Sequence, residues 1–338
     1  MVDDVHGYAL TGQNTDAYRL LRTHDGGRRW RDITPGAGTI HPSGPAGVYG
    51  RATLLFSTSL RGGVFAVERS DDGGRSWRRS LPLRDAHGLG IGQPMLLDAR
   101  HLYVALDEGA AAGSEAQALY MSDDGGHSWR FVSRTDVSRV RSRTLPFGCD
   151  KNGFGFATRS RGWAGGYCAG GRPFFYRSDD GGRSWRRQPL PGLAQCACSV
   201  SAPRFFTPRS GALDVIGFTM SGKPLVRLYW TSDGGEHWRA SRPPAGRASG
   251  AVSFADAGTA WLAANPPGGM RRRFNRLLRT SDAGRHWQTL TLPFNADGYE
   301  LDALSATVAY AVRALPGRSS ILRTQDGGRS WQKIPTTR

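Results

Sequence analysis

Apolar residues in this chain come in short runs separated by turn-forming residues, never in the long stripes of a helical protein. Residues 252–256, 260–264, 276–280 and 287–292 form one such series, with Gly, Asp, Asn and Pro in the gaps. Runs of this length and make-up predict β-strands. The series reads as an inner, a second, a third and an outer strand of one antiparallel unit. Comparable series follow one another along the chain, which predicts an all-β protein built by repetition. No run reaches the roughly 18 apolar residues that a membrane-spanning helix needs.

One octapeptide marks each unit. Ser/Thr-x-Asp-Gly/Ala-Gly-x-x-Trp begins at residues 23, 70, 122, 178, 231, 280 and 324. Its chemistry is that of a tight turn between the third and outer strands. The aspartates Asp25, Asp72, Asp124, Asp180, Asp233, Asp282 and Asp326 are placed to accept hydrogen bonds from turn amides, as is the Ser or Thr hydroxyl. Glycine follows because the turn needs positive φ. Only the sixth copy departs, with Ala283 in place of the first glycine. Trp30, Trp77, Trp129, Trp185, Trp238, Trp287 and Trp331 then open the returning strand and cover the turn with an apolar face. An aromatic in the second strand, Tyr8, Tyr103, Trp163, Trp261 or Tyr310, recurs at the same period and is expected to pack between neighbouring units.

These octapeptides resemble the Asp box, or bacterial neuraminidase repeat, of sialidases, sortilin, xyloglucan-cleaving glycosidases and photosystem II assembly factors. The resemblance spans essentially the whole chain. It implies a seven-bladed β-propeller with four-stranded antiparallel blades and one box per blade on the outer rim, residues 1–338 forming a single propeller domain. In those families the box is structural, so the resemblance speaks for fold and not for chemistry. Aligning Tyr8 with Trp261 sets Met1 and Val2 against Phe254 and Ala255. The first blade is therefore expected to keep only the tail of its inner strand, the remainder, and any export signal, lying upstream in a longer protein.

A formal charge of +17 points to an acidic or anionic partner. Lysine occurs only at Lys151, Lys223 and Lys333, so arginine-rich composition competes with a selected surface as the explanation. Outside the octapeptides, Arg134, Arg139, Arg141 and Arg143 crowd the loop entering the fourth blade, and Arg271, Arg272, Arg273 and Arg276 crowd the second loop of the sixth. Arg204 stands near the start of the fifth. These loops map to the face on which propeller enzymes carry their catalytic groups. Because the planar guanidinium grips carboxylates and phosphates in bidentate fashion, the expected partner is an acidic protein segment or an anionic glycan. Nucleic acid, a cofactor and a bound metal are not expected, and the chain is expected to act as a monomer.

Acids on that face are sparse. Asp85, Asp107, Glu108, Asp136, Asp150, Asp297, Glu300 and Asp302 are the candidates, and a glycosidase needs two carboxyl groups on one substrate site. Asp297 with Glu300 or Asp302 is the best such pair. The resemblance to sialidases does not extend to their Arg-Ile-Pro motif or tyrosine nucleophile, so no catalytic residue is assigned. A binding propeller, of the kind the photosystem II assembly factors exemplify, is the favoured reading, and a secreted glycoside hydrolase or glycan-binding propeller the alternative. Cys149, Cys168, Cys196 and Cys198 map to the same face of adjacent blades. Two disulfides or a four-thiolate zinc site would suit them; the lack of paired Cys-x2-Cys knuckles favours disulfides. Disulfides imply secretion or the cell envelope, although no signal peptide is present in the chain.

Overall fold

The computed structural model describes residues 1–13, 16–36, 46–60, 62–111, 113–135, 143–168, 172–244, 248, 252–265, 274–315 and 318–335. Every regular element among them is a β-strand, and all strand pairings are antiparallel. The strands gather in chain order, one group to each octapeptide. The first group has three strands, Gly7–Gln13, Asp16–Thr23 and Arg31–Asp32. The sixth has four, Ser253–Phe254, Ala260–Ala264, Arg276–Thr280 and Gln288–Thr291, close to the runs read from the sequence. The seventh repeats the pattern with Glu300–Ala303, Ala309–Leu315, Arg318–Thr324 and Gln332–Ile334.

Each octapeptide closes the turn between the third and outer strands by the same hydrogen bonds. In the second copy the Ser70 hydroxyl donates to Asp72 Oδ1 at 2.8 Å and accepts from the Gly74 amide at 2.7 Å, while Asp72 Oδ1 accepts from the Ser76 amide at 2.9 Å. The hydroxyl-to-aspartate and glycine-to-hydroxyl bonds recur in the other six. Both turn glycines have positive φ, 72° at Gly73 and 84° at Gly74. Ala283 is held at φ 58° in the sixth turn, where a Cβ is strained.

The second-strand aromatics seal one blade against the next. Tyr103, Trp163, Trp261 and Tyr310 are completely buried. Their polar tips donate across the interface: Tyr8 to the Arg51 carbonyl, Tyr103 to that of Arg159, Trp261 to that of Ser305 and Tyr310 to that of Asp4. Burial pushes the Tyr103 hydroxyl up to about 12.

An arginine just ahead of the octapeptide makes a second interblade contact that the sequence reading did not single out. Arg22 donates to the Gly73 carbonyl at 2.7 Å and Arg69 to that of Gly125 at 2.9 Å. Both side chains lie almost wholly inside the protein. Arg177 instead grips Glu236 with both nitrogens, at 2.7 and 2.8 Å. The recurrence of Arg at 22, 69, 177, 279 and 323 was the available signal.

The fourth and fifth groups are fused, because the second strand of the fourth, Gly162–Cys168, also pairs with Cys196–Val200. Cys196 and Cys198 therefore lie inside the inner strand of the fifth group. That strand resumes at Arg204–Phe205, which puts Arg204 at its far end.

Candidate functional site

Loops joining second to third strands, and those leading into inner strands, lie at the opposite end of each sheet from the octapeptides. On this loop face the hairpin between Leu102–Ala111 and Ser114–Ser122 carries Asp107, Glu108 and Glu115. Asp85 approaches from the preceding connection, Arg134 from the end of the outer strand Arg130–Arg134, and Lys151 from the next blade.

These groups consume one another. Arg134 Nη2 lies 2.9 Å from Asp85 and 2.7 Å from Glu108, and both carboxylates are buried. The Tyr120 hydroxyl donates to Asp85 at 2.5 Å. Burial pushes the Asp85 carboxyl up, but hydrogen bonds from Tyr120, the His87 amide and Arg134 outweigh it and hold the group below its ordinary value. Glu108 moves the other way, raised by burial and by the nearby Asp85 charge. Nearby, Glu115 accepts from the Lys151 amide at 2.6 Å and from Gln117 at 3.1 Å, and Gln117 also donates to Asp107. Lys151 Nζ spends its three donors on the Glu115, Phe147 and Cys149 carbonyls, and burial draws its ammonium down to about 8.

Two carboxyls with oppositely shifted acidities are the usual pattern of an acid and base pair. Here one guanidinium nitrogen bridges them, so no sugar ring fits between them as glycoside hydrolysis requires. Of the other candidate acids, Asp302 pairs with the amino group of Met1, Glu300 is exposed in the same strand, and the Asp297 amide closes a turn on Asn295. Asp136 lies outside the described residues.

Cys149 and Cys168 form a disulfide with a Cα separation of 4.8 Å, and Cys196 and Cys198 form a second with a Cα separation of 5.2 Å. Cys168 faces Cys198 in the strand register, so the two bridges lie side by side where the fourth and fifth blades fuse.

Most of the expected arginine cluster, Arg139, Arg141, Arg271, Arg272 and Arg273, lies outside the described residues. Arg276 begins the third strand of its blade and donates to the Pro244 carbonyl. Arg143 departs from the loop-face expectation: its carbonyl accepts from the Trp185 amide at 2.9 Å, beside the fourth octapeptide. The reason is that Leu145, two residues on, is buried in the cluster that holds Trp185. Arg204 departs as well. It lines a central cavity of about 390 Å3 together with Val48, Gly50, Asp302 and Leu304, towards the octapeptide end of the inner strands.

A second cavity, of about 480 Å3, opens at the octapeptide rim between the third and fourth blades, against Met121, Arg130, Arg159, Gly181 and Arg183.

Solved structures resemble this arrangement. The chain aligns over 92% of its length with 49% of the GH74 xyloglucanase of Xanthomonas campestris, at TM-score 0.56 and 19% identity. It aligns over 96% of its length with 89% of YCF48 bound to a D1 peptide, at TM-score 0.52 and 16% identity. The fold is a β-propeller. A third propeller-length match is to a puromycin-hydrolysing peptidase of Mycobacterium tuberculosis, TM-score 0.52 and 13% identity over 94% of this chain and 49% of that one. The chain thus spans about half the length of the xyloglucanase and the peptidase. No family model matches this propeller, and no curated protein does. Identities this low carry the architecture and leave the site to be argued from its own residues.

Proposed function

We propose that this propeller is a non-catalytic binding module that recognises an acidic protein segment or an anionic glycan through its loop face. The observation that carries this reading is the fate of the loop-face acids. Asp85 and Glu108 are buried and bridged by Arg134, and Glu115 is tied to Lys151, so these carboxylates are spent internally and are not free to act on a substrate. YCF48, of similar length and fold, has been solved holding a peptide, which fits a recognition role for a single propeller. We read the octapeptides as Asp boxes, residues 1–338 as one domain acting as a monomer, and the paired disulfides as a mark of a compartment outside the cytoplasm, where such bonds persist.

Binding of an acidic peptide or polyuronate library, measured against salt, tests the reading. Affinity should fall steeply as ionic strength rises, because screening at physiological salt acts over about 8 Å. Replacing Arg271, Arg272 and Arg273 together with Ser should weaken binding without lowering the melting temperature. Unchanged binding in that variant would remove the loop face from consideration. The rival reading, glycan hydrolysis, draws on Glu300 and Asp302, which share one face of an inner strand, and on the xyloglucanase likeness. Turnover of xyloglucan or a sialoside, lost in Glu300→Ala, would establish it; no turnover is the expected result.

A further inference from the structure

At five blade junctions an arginine donates to the carbonyl of the fourth octapeptide residue of the next blade. These are Arg22 to Gly73, Arg69 to Gly125, Arg161 to Gly234, Arg239 to Ala283 and Arg279 to Gly327. Between the third and fourth blades the position ahead of the octapeptide holds Met121, and no arginine among the described residues donates to the Gly181 carbonyl. The fifth blade also lacks that arginine, having Trp230 there, but Arg239 at the start of its outer strand takes over. The equivalent residue of the third blade, Arg130, is turned instead onto Asp123 at 3.1 Å and the Met121 sulfur at 3.1 Å. A filled junction has become a notch of about 480 Å3.

Charge at this notch is unbalanced. Asp123 is shared by Arg130 and Arg159, each at 3.1 Å, and by His101 at 3.7 Å. Among the described residues Arg183 has only the Asp180 carbonyl, at 2.7 Å, because the Asp180 carboxylate is turned to Ser178 and Ser184 within its own octapeptide. Arg130 and Arg159 are 44% and 58% exposed, so their cationic surface is open to a ligand. The floor is apolar Met121, and the wall offers the Gly181 carbonyl and the hydroxyls of Thr158 and Ser160.

We propose that the notch binds a carboxylated sugar of the uronic acid type. Its carboxylate would pair with Arg159 and Arg183, a ring hydroxyl would donate to the Gly181 carbonyl, and the C–H face would rest on Met121. An inorganic oxyanion brings the charge without the donor or the apolar face. An extended acidic peptide would seek backbone partners, and the Gly182 and Ser184 amides of this turn are already bonded inside it.

Calorimetric titration of the whole chain, with Arg271, Arg272 and Arg273 replaced by Ser to remove the loop-face contribution, against a uronate disaccharide, its neutral counterpart, sodium sulfate and a Glu-rich peptide tests this. Met121→Arg and Arg183→Gln are made in the same background. Uronate should bind at millimolar or lower concentration, and the neutral sugar, sulfate and peptide at least about tenfold more weakly. Met121→Arg, which restores the residue found ahead of five of the other six octapeptides, should abolish uronate binding and leave the melting temperature unchanged or higher. Arg183→Gln should weaken binding about fivefold or more and serves if Met121→Arg fails to fold. Uronate binding in this background separates this site from the loop face. No uronate binding, an equal response to sulfate, tighter peptide binding, or uronate binding that survives Met121→Arg or Arg183→Gln would each overturn the proposal.

Discussion

Ala283 shows how far the octapeptide's chemistry could be followed at the scale of single residues. Its six counterparts are glycine, and the backbone there needs φ near 70°, a region costly for a residue with a Cβ. Replacing Ala283 with Gly relieves that strain while adding freedom to the unfolded chain, and should raise stability by about 0.5–1 kcal/mol in denaturant titration. The octapeptide aspartates carry a second expectation. Burial raises Asp233, but hydrogen bonds from the His237 amide and ring and from Thr231 outweigh it and hold its carboxyl at about 2. A folded value below the unfolded one gives stability that is complete above about pH 4 and is lost as pH falls towards 2. Asp72 and Asp326 are lowered too, led in each case by a Ser hydroxyl. Acid titration followed by circular dichroism should therefore keep the fold down to about pH 3, and Asp233→Asn should flatten the Asp233 part of the acid limb. These turns were legible in the sequence because hydroxyl, carboxylate and glycine sit within eight consecutive residues. The interblade arginines showed only as a recurrence of Arg ahead of the octapeptide; their acceptors, mostly backbone carbonyls on the next blade, were not legible, because a carbonyl has no sequence signature.

At the scale of strands, the sixth blade was readable almost residue for residue, since its turns hold Gly, Pro, Asn and Asp. The inner strand of the fifth was not. Cys196–Val200 is built of small residues with no alternation to mark it, and what specifies it is pairing with Gly211–Thr219 and with the neighbouring blade. Within that second strand lies Asp214, whose carboxyl is pushed up to about 6 by burial, only partly offset by Ser201. A folded value above the unfolded one contributes stability that is present below about pH 4 and lost as pH rises through 6. Asp214→Asn should remove this loss and raise stability at pH 8 by about 1–2 kcal/mol. The junctions between strand groups can be tested in the same way. Arg69 is buried and donates to both the Ala99 and Gly125 carbonyls at 2.9 Å. Arg69→Met copies what nature has placed at Met121, and should cost about 2–3 kcal/mol, the usual worth of a buried charged hydrogen bond. A loss below about 0.5 kcal/mol would mean that water replaces the guanidinium readily.

A ring of repeats must also join its last blade to its first, and here the closure is noncovalent. Arg323 pairs with Asp4 at 3.0 Å and stacks 5.6 Å over Tyr310, whose hydroxyl reaches the Asp4 carbonyl. Met1 and Trp30 pack on Tyr310, Ile321 and Ile334. The first group has three strands, so it offers less packed surface to this junction than a four-stranded neighbour would, and the fourth and fifth blades, joined by strand pairing and each carrying a disulfide, stand at the other extreme. Local stability should follow that gradient, because regions with fewer cooperative contacts open first. Arg323→Ala removes the ion pair and the ring contact together. It should lower global stability by about 1–2 kcal/mol and speed amide exchange in residues 7–13 and 309–324 alike. Exchange in Gly162–Cys168 and Cys196–Val200 should stay as it was. Faster exchange confined to the seventh blade would show that the two ends open independently. Faster exchange everywhere would show that the ring opens as a whole.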